Sequence, residues 1–314
     1  MTTDDTPQWV DLHLHTNVSD GTLSPAELVD LAVSQNFKTI AITDHDTIDG
    51  LKDGIKEGVR KKLGVIAGIE ISSKYSNGTQ HILGFGIDIS NPRFLDSLHQ
   101  FQFVRKKRNI NIISKLQLLG IDISVAEMIK DYPVIHSLGR PHIASILVKK
   151  GIVKNMNDAF TQYLGKNGKA FVGKDVLTAG ETIRLIHDVG GTAVLAHPST
   201  LNLSGRLLVD QIELLIAHGL DGIEVYSSAH DHEQIQLYRS LCIKYDLLIS
   251  AGSDFHGSNK KNVAFGICNS GNKVTAEMVS QRLIDLSITR LSEKRATDPE
   301  FNNHYTLRND ELNY

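Results

Sequence analysis

The chain has 314 residues, more than one ordinary domain, and its 41% hydrophobic and 22% charged residues suit a globular fold with a sizeable core. That balance excludes an extended disordered chain, and no apolar run approaches the roughly 18 residues a membrane span needs. Lys and Arg total 33 against 36 Asp and Glu, a formal charge of −3, so any strong preference for an anionic partner must come from a local concentration of charge.

The opening segment MTTDDTPQWV is acidic and lacks the basic n-region of a signal peptide. Trp9-Val10 leads into Asp11-Leu12-His13-Leu14-His15-Thr16. In an extended strand His13 and His15 share one side, while Leu12 and Leu14 face a core. Asp20 lies in the turn Ser19-Asp20-Gly21, before a helix opened by the capping box Ser24-Pro25-Ala26-Glu27. A β-rich run at 38–43 ends in Asp44-His45-Asp46, and a helix follows over about 50–62. The run 64–71 carries Glu70 near its end, and the run 80–87 opens with His81. After a helical stretch come helix 179–189, strand 192–196 ending in His197-Pro198, helix 206–218 and strand 220–226. Helix 231–245 and strand 246–251 follow, with Gly252-Ser253-Asp254-Phe255-His256 at the strand's end. This alternation predicts a parallel sheet with covering helices, open or closed into a barrel. Cys242 and Cys268 stand in no CxxC spacing, so they offer neither a disulfide framework nor a zinc knuckle, and the expected location is the reducing cytoplasm.

Charge divides the chain further. Residues 101–180 hold 13 Lys/Arg and 5 Asp/Glu, a net of +8 inside a frame of −11. Leu95, Leu98, Phe101, Ile112, Leu116 and Leu119 recur at helical spacing there. The expected organisation is a first barrel part over 1–100, an inserted basic, mostly helical module over 101–180, a second barrel part over 181–290 and a polar tail over 291–314. The run Arg105-Lys106-Lys107-Arg108, taken alone, reads equally as a solvated helix face. Leu138-Gly139-Arg140-Pro141-His142-Ile143-Ala144 begins a short helix ending at Gly151. Its free N–H groups and the Arg140 fork would suit a phosphate, although an ion pair at the module boundary would also account for Arg140. Gly165-Lys166-Asn167-Gly168-Lys169 is a basic turn without Walker spacing.

Imidazole and carboxylate residues recur at strand ends, the face on which parallel α/β folds build their sites. The mixture suits zinc, manganese or iron. DLHLHT, Asp20, the TDHD around His45, Glu70 in GIE, His81, the AHP at His197 and the GSDFH over 252–256 together resemble the PHP phosphoesterases, in motif order. The resemblance spans 11–100 and 180–270. It implies a distorted (β/α)7 barrel with up to three divalent metals on the C-terminal rim, Mn²⁺ foremost, with Zn²⁺, Fe²⁺ or Mg²⁺ as alternatives. Carried over, one metal falls to His13, His15, Glu70 and Asp254, a second to Asp20, His45 and His256, and a third to Glu70, His81 and His197, with Glu70 bridging. Glu70, Asp254 and His197 are the implied catalytic residues. The GRPHIA run is similar to the PHP branch that removes the 3′-phosphate from nucleoside 3′,5′-bisphosphates and trims RNA from its 5′ end. Arg140, His142 and His230 are then the expected substrate contacts, although His230 and His232 also suit surface placement.

Hydrolysis needs no protein nucleophile here, because water bridging two metals about 3.5–4 Å apart loses its proton near neutral pH. The expected substrate is a nucleotide or short single-stranded RNA, with no membrane and no obligate protein partner. Three alternatives are a histidinol-phosphatase-like enzyme, an amidohydrolase-like C–N hydrolase and a non-catalytic nucleotide-binding protein. Asp20 together with GRPHIA, the basic module, and the intact ligand set argue against them in turn. His99, His136, His187, His218 and His304 show no partner pattern and read as structural or exposed.

Overall fold

Nine strands form one sheet in the computed structural model, which describes residues 8–76, 78–131, 138–173, 176–268 and 271–286. They are β1 (Trp9–Leu14), β2 (Phe37–Ile42), β3 (Gly64–Ser73), β4 (Gln80–Phe85), β5 (Thr192–Leu195), β6 (Gly222–Ser227), β7 (Leu248–Gly252), β8 (Ile267–Cys268) and β9 (Asn272–Thr275). Strands β1 to β7 lie side by side in chain order, and β9 then β8 continue the sheet beyond β1. The end of β7 returns to β1. Asp254 donates its backbone N–H to His13 O at 2.9 Å, and His15 donates to Phe255 O at 3.0 Å. A nearly closed barrel results. Gly252 permits this approach, since a Cβ there would stand 2.1 Å from the Cβ of His13.

Helices α1 (Pro25–Ser34), α2 (Leu51–Lys61), α3 (Pro92–Leu118), α4 (Val125–Asp131) and α5 (Arg140–Lys149) precede the short α6 (Met156–Ala159), which a π-turn over Phe160–Leu164 continues. Helices α7 (Ala179–Asp188), α8 (Gly205–Ala217) and α9 (His232–Tyr245) follow, and a last helical stretch over 281–286 ends the described residues. The capping box at Ser24 forms as its sequence predicts, with Ser24 and Glu27 exchanging side-chain and backbone hydrogen bonds.

One strand departs from the expected direction. β4 runs antiparallel to both β3 and β5. The short 74–79 connection leaves no room for a crossover helix, so the chain turns back. This reversal puts the start of β4, not its end, on the rim where the other strands finish, with His81 beside Ser72. β8 and β9 went unread in the sequence because runs of two and four residues carry no periodicity.

Two hydrophobic clusters hold the chain. The larger lies within and around the barrel. The smaller gathers Ile112, Ile113, Leu116, Ile143, Leu147 and Leu164 from α3, α5 and the π-turn. Helix α3 joins them, with Phe94 and Leu98 in the first cluster and Ile112 and Leu116 in the second. Its 27 residues thus couple the basic segment to the barrel as one rod. Among the described residues, no helix is long and apolar enough to cross a membrane. The 291–314 tail, His136 and His304 lie outside the described residues.

Both cysteines are buried. Burial pushes the Cys242 thiol up to about 12 and the Cys268 thiol well above its ordinary value. Thiolate is the reactive form, so neither should react with Ellman's reagent at pH 8 in the native protein, and both should react in guanidinium. One rapidly reacting thiol under native conditions would contradict this packing.

Candidate metal centre

Nine histidine and carboxylate side chains that lie far apart in sequence converge on the C-terminal rim around Glu70. Its carboxylate is fully buried in the second half of β3. Oε2 lies 3.0 Å from His45 Nδ1, 3.2 Å from His15 Nε2 and 3.3 Å from His13 Nε2. Oε1 lies 2.7 Å from His81 Nδ1 and 2.9 Å from His197 Nε2. Asp254 Oδ1 stands 3.3 Å from His15 Nε2 and 3.6 Å from His13 Nε2. Asp20 Oδ1 stands 3.3 Å from His256 Nε2, and Oδ2 lies 3.8 Å from His45 Nε2. Four overlapping groups have ligand atoms within 4.8 Å of one another: His15-Asp20-His45-His256, His13-His15-Asp254, His13-Glu70-His197 and His45-Glu70-His81. His15 therefore also approaches the Asp20 group, beyond the expected partition.

Two of these residues, and the neighbour of a third, have unusual backbone geometry. Asp46, His197 and Asp254 adopt positive φ of 54°, 24° and 58°. A non-glycine residue there is strained, and such strain persists only where surrounding bonds enforce it. Buried carboxylates supply some of those bonds. Asp44 accepts from Thr16 N at 2.8 Å, from the Thr16 hydroxyl at 2.6 Å and from the Ser19 hydroxyl at 2.5 Å, pinning the loop that carries Asp20. Asp11 accepts from Ser253 N at 2.9 Å and the Ser253 hydroxyl at 2.5 Å, beside Asp254. Gly21 is required where it stands, because a Cβ would lie 2.4 Å from His15 O.

The electrostatics of this centre favour added positive charge. Burial alone would raise the Glu70 carboxyl, but His45, His81 and His13 hold it well below the usual range. Burial likewise opposes ionisation of Asp254 and Asp20, yet Lys260 with His13, and His256 with His45, keep them well below theirs. Burial lowers His15, but Asp254 and Glu70 bring it up to about 9. Burial drives His81 down to about 4, leaving a neutral imidazole. Glu70 Oε2 and His15 Nδ1 are buried without a hydrogen-bond partner. A divalent cation fits this set. It would satisfy those atoms and replace the protons the carboxylates attract, and mixed N/O donors suit transition metals.

A basic wall adjoins the centre. Arg105 on α3 pairs with Asp46, next to His45. Arg108 donates Nε–H to Val172 O at 3.0 Å, and Arg140 donates from Nη1 to Leu164 O at 3.3 Å. Burial pushes Arg108 down to about 9, with Arg140 and Arg105 adding repulsion. Arg140 is likewise lowered by burial and by Arg105. Among the described residues Asp46 is the only carboxylate in ion-pair contact with any of the three. The solvated-face reading of the 105–108 run therefore fails at Arg105 and Arg108, which turn inward, and holds for the exposed Lys106 and Lys107. His142 caps α5, accepting from Gly139 N at 3.0 Å. It is buried, which lowers its pKa, and Asp20 lies within electrostatic reach. His230 is buried rather than on the surface, while His232 is exposed, as are His99, His187 and His218. Lys166 of the basic turn donates to Ser76 O at 2.8 Å, tying that turn to the β3–β4 loop.

A family model described as the PHP domain matches residues 11–132. A 5′-3′ exoribonuclease of Haemophilus influenzae is 36% identical over 78% of this chain and 89% of its own length. The chain belongs to the PHP family. A 3′,5′-nucleoside bisphosphate phosphatase of Chromobacterium violaceum is 31% identical over 79% of this chain and 87% of its own. A solved structure described as an amidohydrolase from Chromobacterium violaceum with bound sulfate and no metal superposes with a TM-score of 0.78 at 28% identity, covering 88% of this chain and 96% of that one. PHP membership makes the chain a phosphoesterase, a hydrolase, and agrees with the barrel described above.

The sequence does not single out Glu224, and it offers Arg105 and Arg108 only as members of the basic run 105–108, without telling which of the four turn inward. The signal for Glu224 is a lone acid in the buried apolar strand GIEVYS. The arginine pair could be found only from the face of α3 that packs. Because Arg105 shields the buried Asp46, Arg105→Ala should destabilise the protein by roughly 3 kcal/mol in urea unfolding. Adding Asp46→Asn should recover more than half of that loss. Additive losses would mean that the pair does not carry the effect.

Proposed function

We propose that the protein hydrolyses the 3′-phosphate of nucleoside 3′,5′-bisphosphates and, by the same chemistry, trims short single-stranded RNA in the 5′-to-3′ direction. One observation carries the reading. A buried ring of imidazoles and carboxylates around Glu70 adjoins three inward arginines that have one carboxylate partner among the described residues. The names of the relatives from Haemophilus influenzae and Chromobacterium violaceum point to the same substrates.

In this reading His13, His15, Glu70 and Asp254 hold one ion, Asp20, His45 and His256 a second, and Glu70, His81 and His197 a third. Bound divalent ions supply Lewis acidity and an activated water, the metal being Mn²⁺ or a similar cation. Glu70, Asp254 and His197 act by holding and bridging ions, not by attacking phosphorus. Arg140, aided by Arg105 and Arg108, clamps the second phosphate of the substrate, and the N-terminus of α5 adds the positive end of its dipole. His142 closes that edge beside Asp20. His230 has a different part. Its Nδ1 lies 2.9 Å from Val225 O, so Nδ1 carries the hydrogen. Nε2 is buried, without a partner and able to accept, which suits a ribose hydroxyl. The basic insertion over 101–180 serves as the substrate-holding part, and RNA end recognition requires a single strand because a base must enter unpaired.

The test compares metal-loaded protein on a 3′,5′-bisphosphate, an aryl phosphate and 5′-phosphorylated RNA labelled at its 3′ end. Arg140→Ala should lower kcat/KM on the bisphosphate by about ten- to a hundredfold and on the aryl phosphate much less. The RNA should release label only after shorter 3′-labelled products appear. Equal losses on the two phosphates, or labelled mononucleotide as the first product, would overturn the reading.

A further inference from the structure

Glu224 stands at the middle of β6 with no exposure and lies outside the nine-residue set. Taking a carboxylate out of water is costly, and among the described residues its one ion-pair contact is with His13. Its two oxygens have separate tasks. Oε1 lies 2.9 Å from His13 Nδ1, reaching across the barrel from β6 past β7 to β1. Oε2 accepts the backbone N–H of His197 at 2.6 Å, at the end of β5. His197 is the residue held at φ 24°. One side chain thus joins two ring members from strands that are not neighbours in the sheet.

We infer that Glu224 is a positioning residue for the metal centre, fixing the tautomer of His13 and the strained backbone of His197. The inference rests on the metal-centre reading above. A carboxylate can only accept, so the His13 hydrogen sits on Nδ1, and Nε2 is the atom left to ligate. That Nε2 faces Glu70 Oε2 at 3.3 Å and Asp254 Oδ1 at 3.6 Å. The second contact keeps His197 turned so that its Nε2 lies 2.9 Å from Glu70 Oε1. Carboxylates behind ligating imidazoles act in this way generally, and their loss weakens metal binding by about 10- to 100-fold.

Glu224→Gln separates this role from packing, because the amide has nearly the same volume. Its oxygen must serve the His197 N–H, so its NH₂ faces His13 Nδ1. His13 must then accept there and carry its hydrogen on Nε2, where it cannot ligate. Chelator competition with Mn²⁺ on the full-length protein should show one class of ion weakened by about 10- to 100-fold, with the remaining ions and the melting temperature of the metal-stripped protein unchanged. In a His13→Ala background the same substitution should alter that affinity by less than about threefold, since it acts through His13. If Glu224→Gln fails to fold, Glu224→Asp takes its place in the cycle. It keeps the charge but is too short to reach both partners, so it should weaken the ion held by His13, the ion held by His197, or both, by a similar factor. Unchanged affinity in either variant, or an undiminished effect in the His13→Ala background, overturns the inference while leaving the metal centre intact. Wild-type protein that takes up less than one ion per chain overturns the metal-centre reading itself, and this inference with it.

Discussion

Everything on the rim is arranged around one buried carboxylate shared by too many nitrogens. Glu70 offers two oxygens, and five imidazoles from β1, β4 and the loops after β2 and β5 approach them within 2.7–3.3 Å. Such a group is stable only if the surrounding charge is balanced, and burial makes any imbalance expensive. The fold answers this demand. β4 reverses so that His81 begins on the rim, β7 returns to β1 over Gly252 so that Asp254 meets His13, and three rim residues adopt positive φ to bring side chains or backbone into place.

The same constraint separates what local sequence can reveal from what it cannot. His13 and His15 share a side because strand geometry alternates, and alternation is visible in DLHLH. Strand ends that finish in His or Asp are equally visible, whereas Asp20, Glu70 and His81 joined the set through the motifs that resemble the PHP family. Glu224 was legible in neither way. Its partners are 211 and 27 residues away, and the long-range pairing of barrel strands leaves no mark in local spacing. The inward turn of Arg105 and Arg108 was hidden for another reason. A helix face is named by what it packs against, and α3 meets the barrel at one end and the second cluster at the other. The direction of β4 depends on a loop too short to cross over, which periodicity within the strand does not record.

Charge distribution links the two halves of the site. The acidic remainder of the chain supplies carboxylates to the rim, and the basic 101–180 segment supplies guanidinium groups beside it. The net charge near zero conceals both. Helix α3 is the mechanical link, rooted in the barrel core by Phe94 and Leu98 before it presents Arg105 to Asp46. A single helix leaves the two parts little freedom to separate, so the spacing between ring and arginines is built into the fold. That spacing is what a substrate with two phosphates would measure.

The central claim is that Glu70 organises a multi-metal centre. Elemental analysis of protein purified without chelator and reconstituted with Mn²⁺ tests it most directly. The account predicts about two to three ions per wild-type chain and a loss of more than one ion in Glu70→Gln, because a bridging carboxylate serves two at once. Less than one ion in the wild type, or a Glu70→Gln protein that retains the full complement, would contradict it.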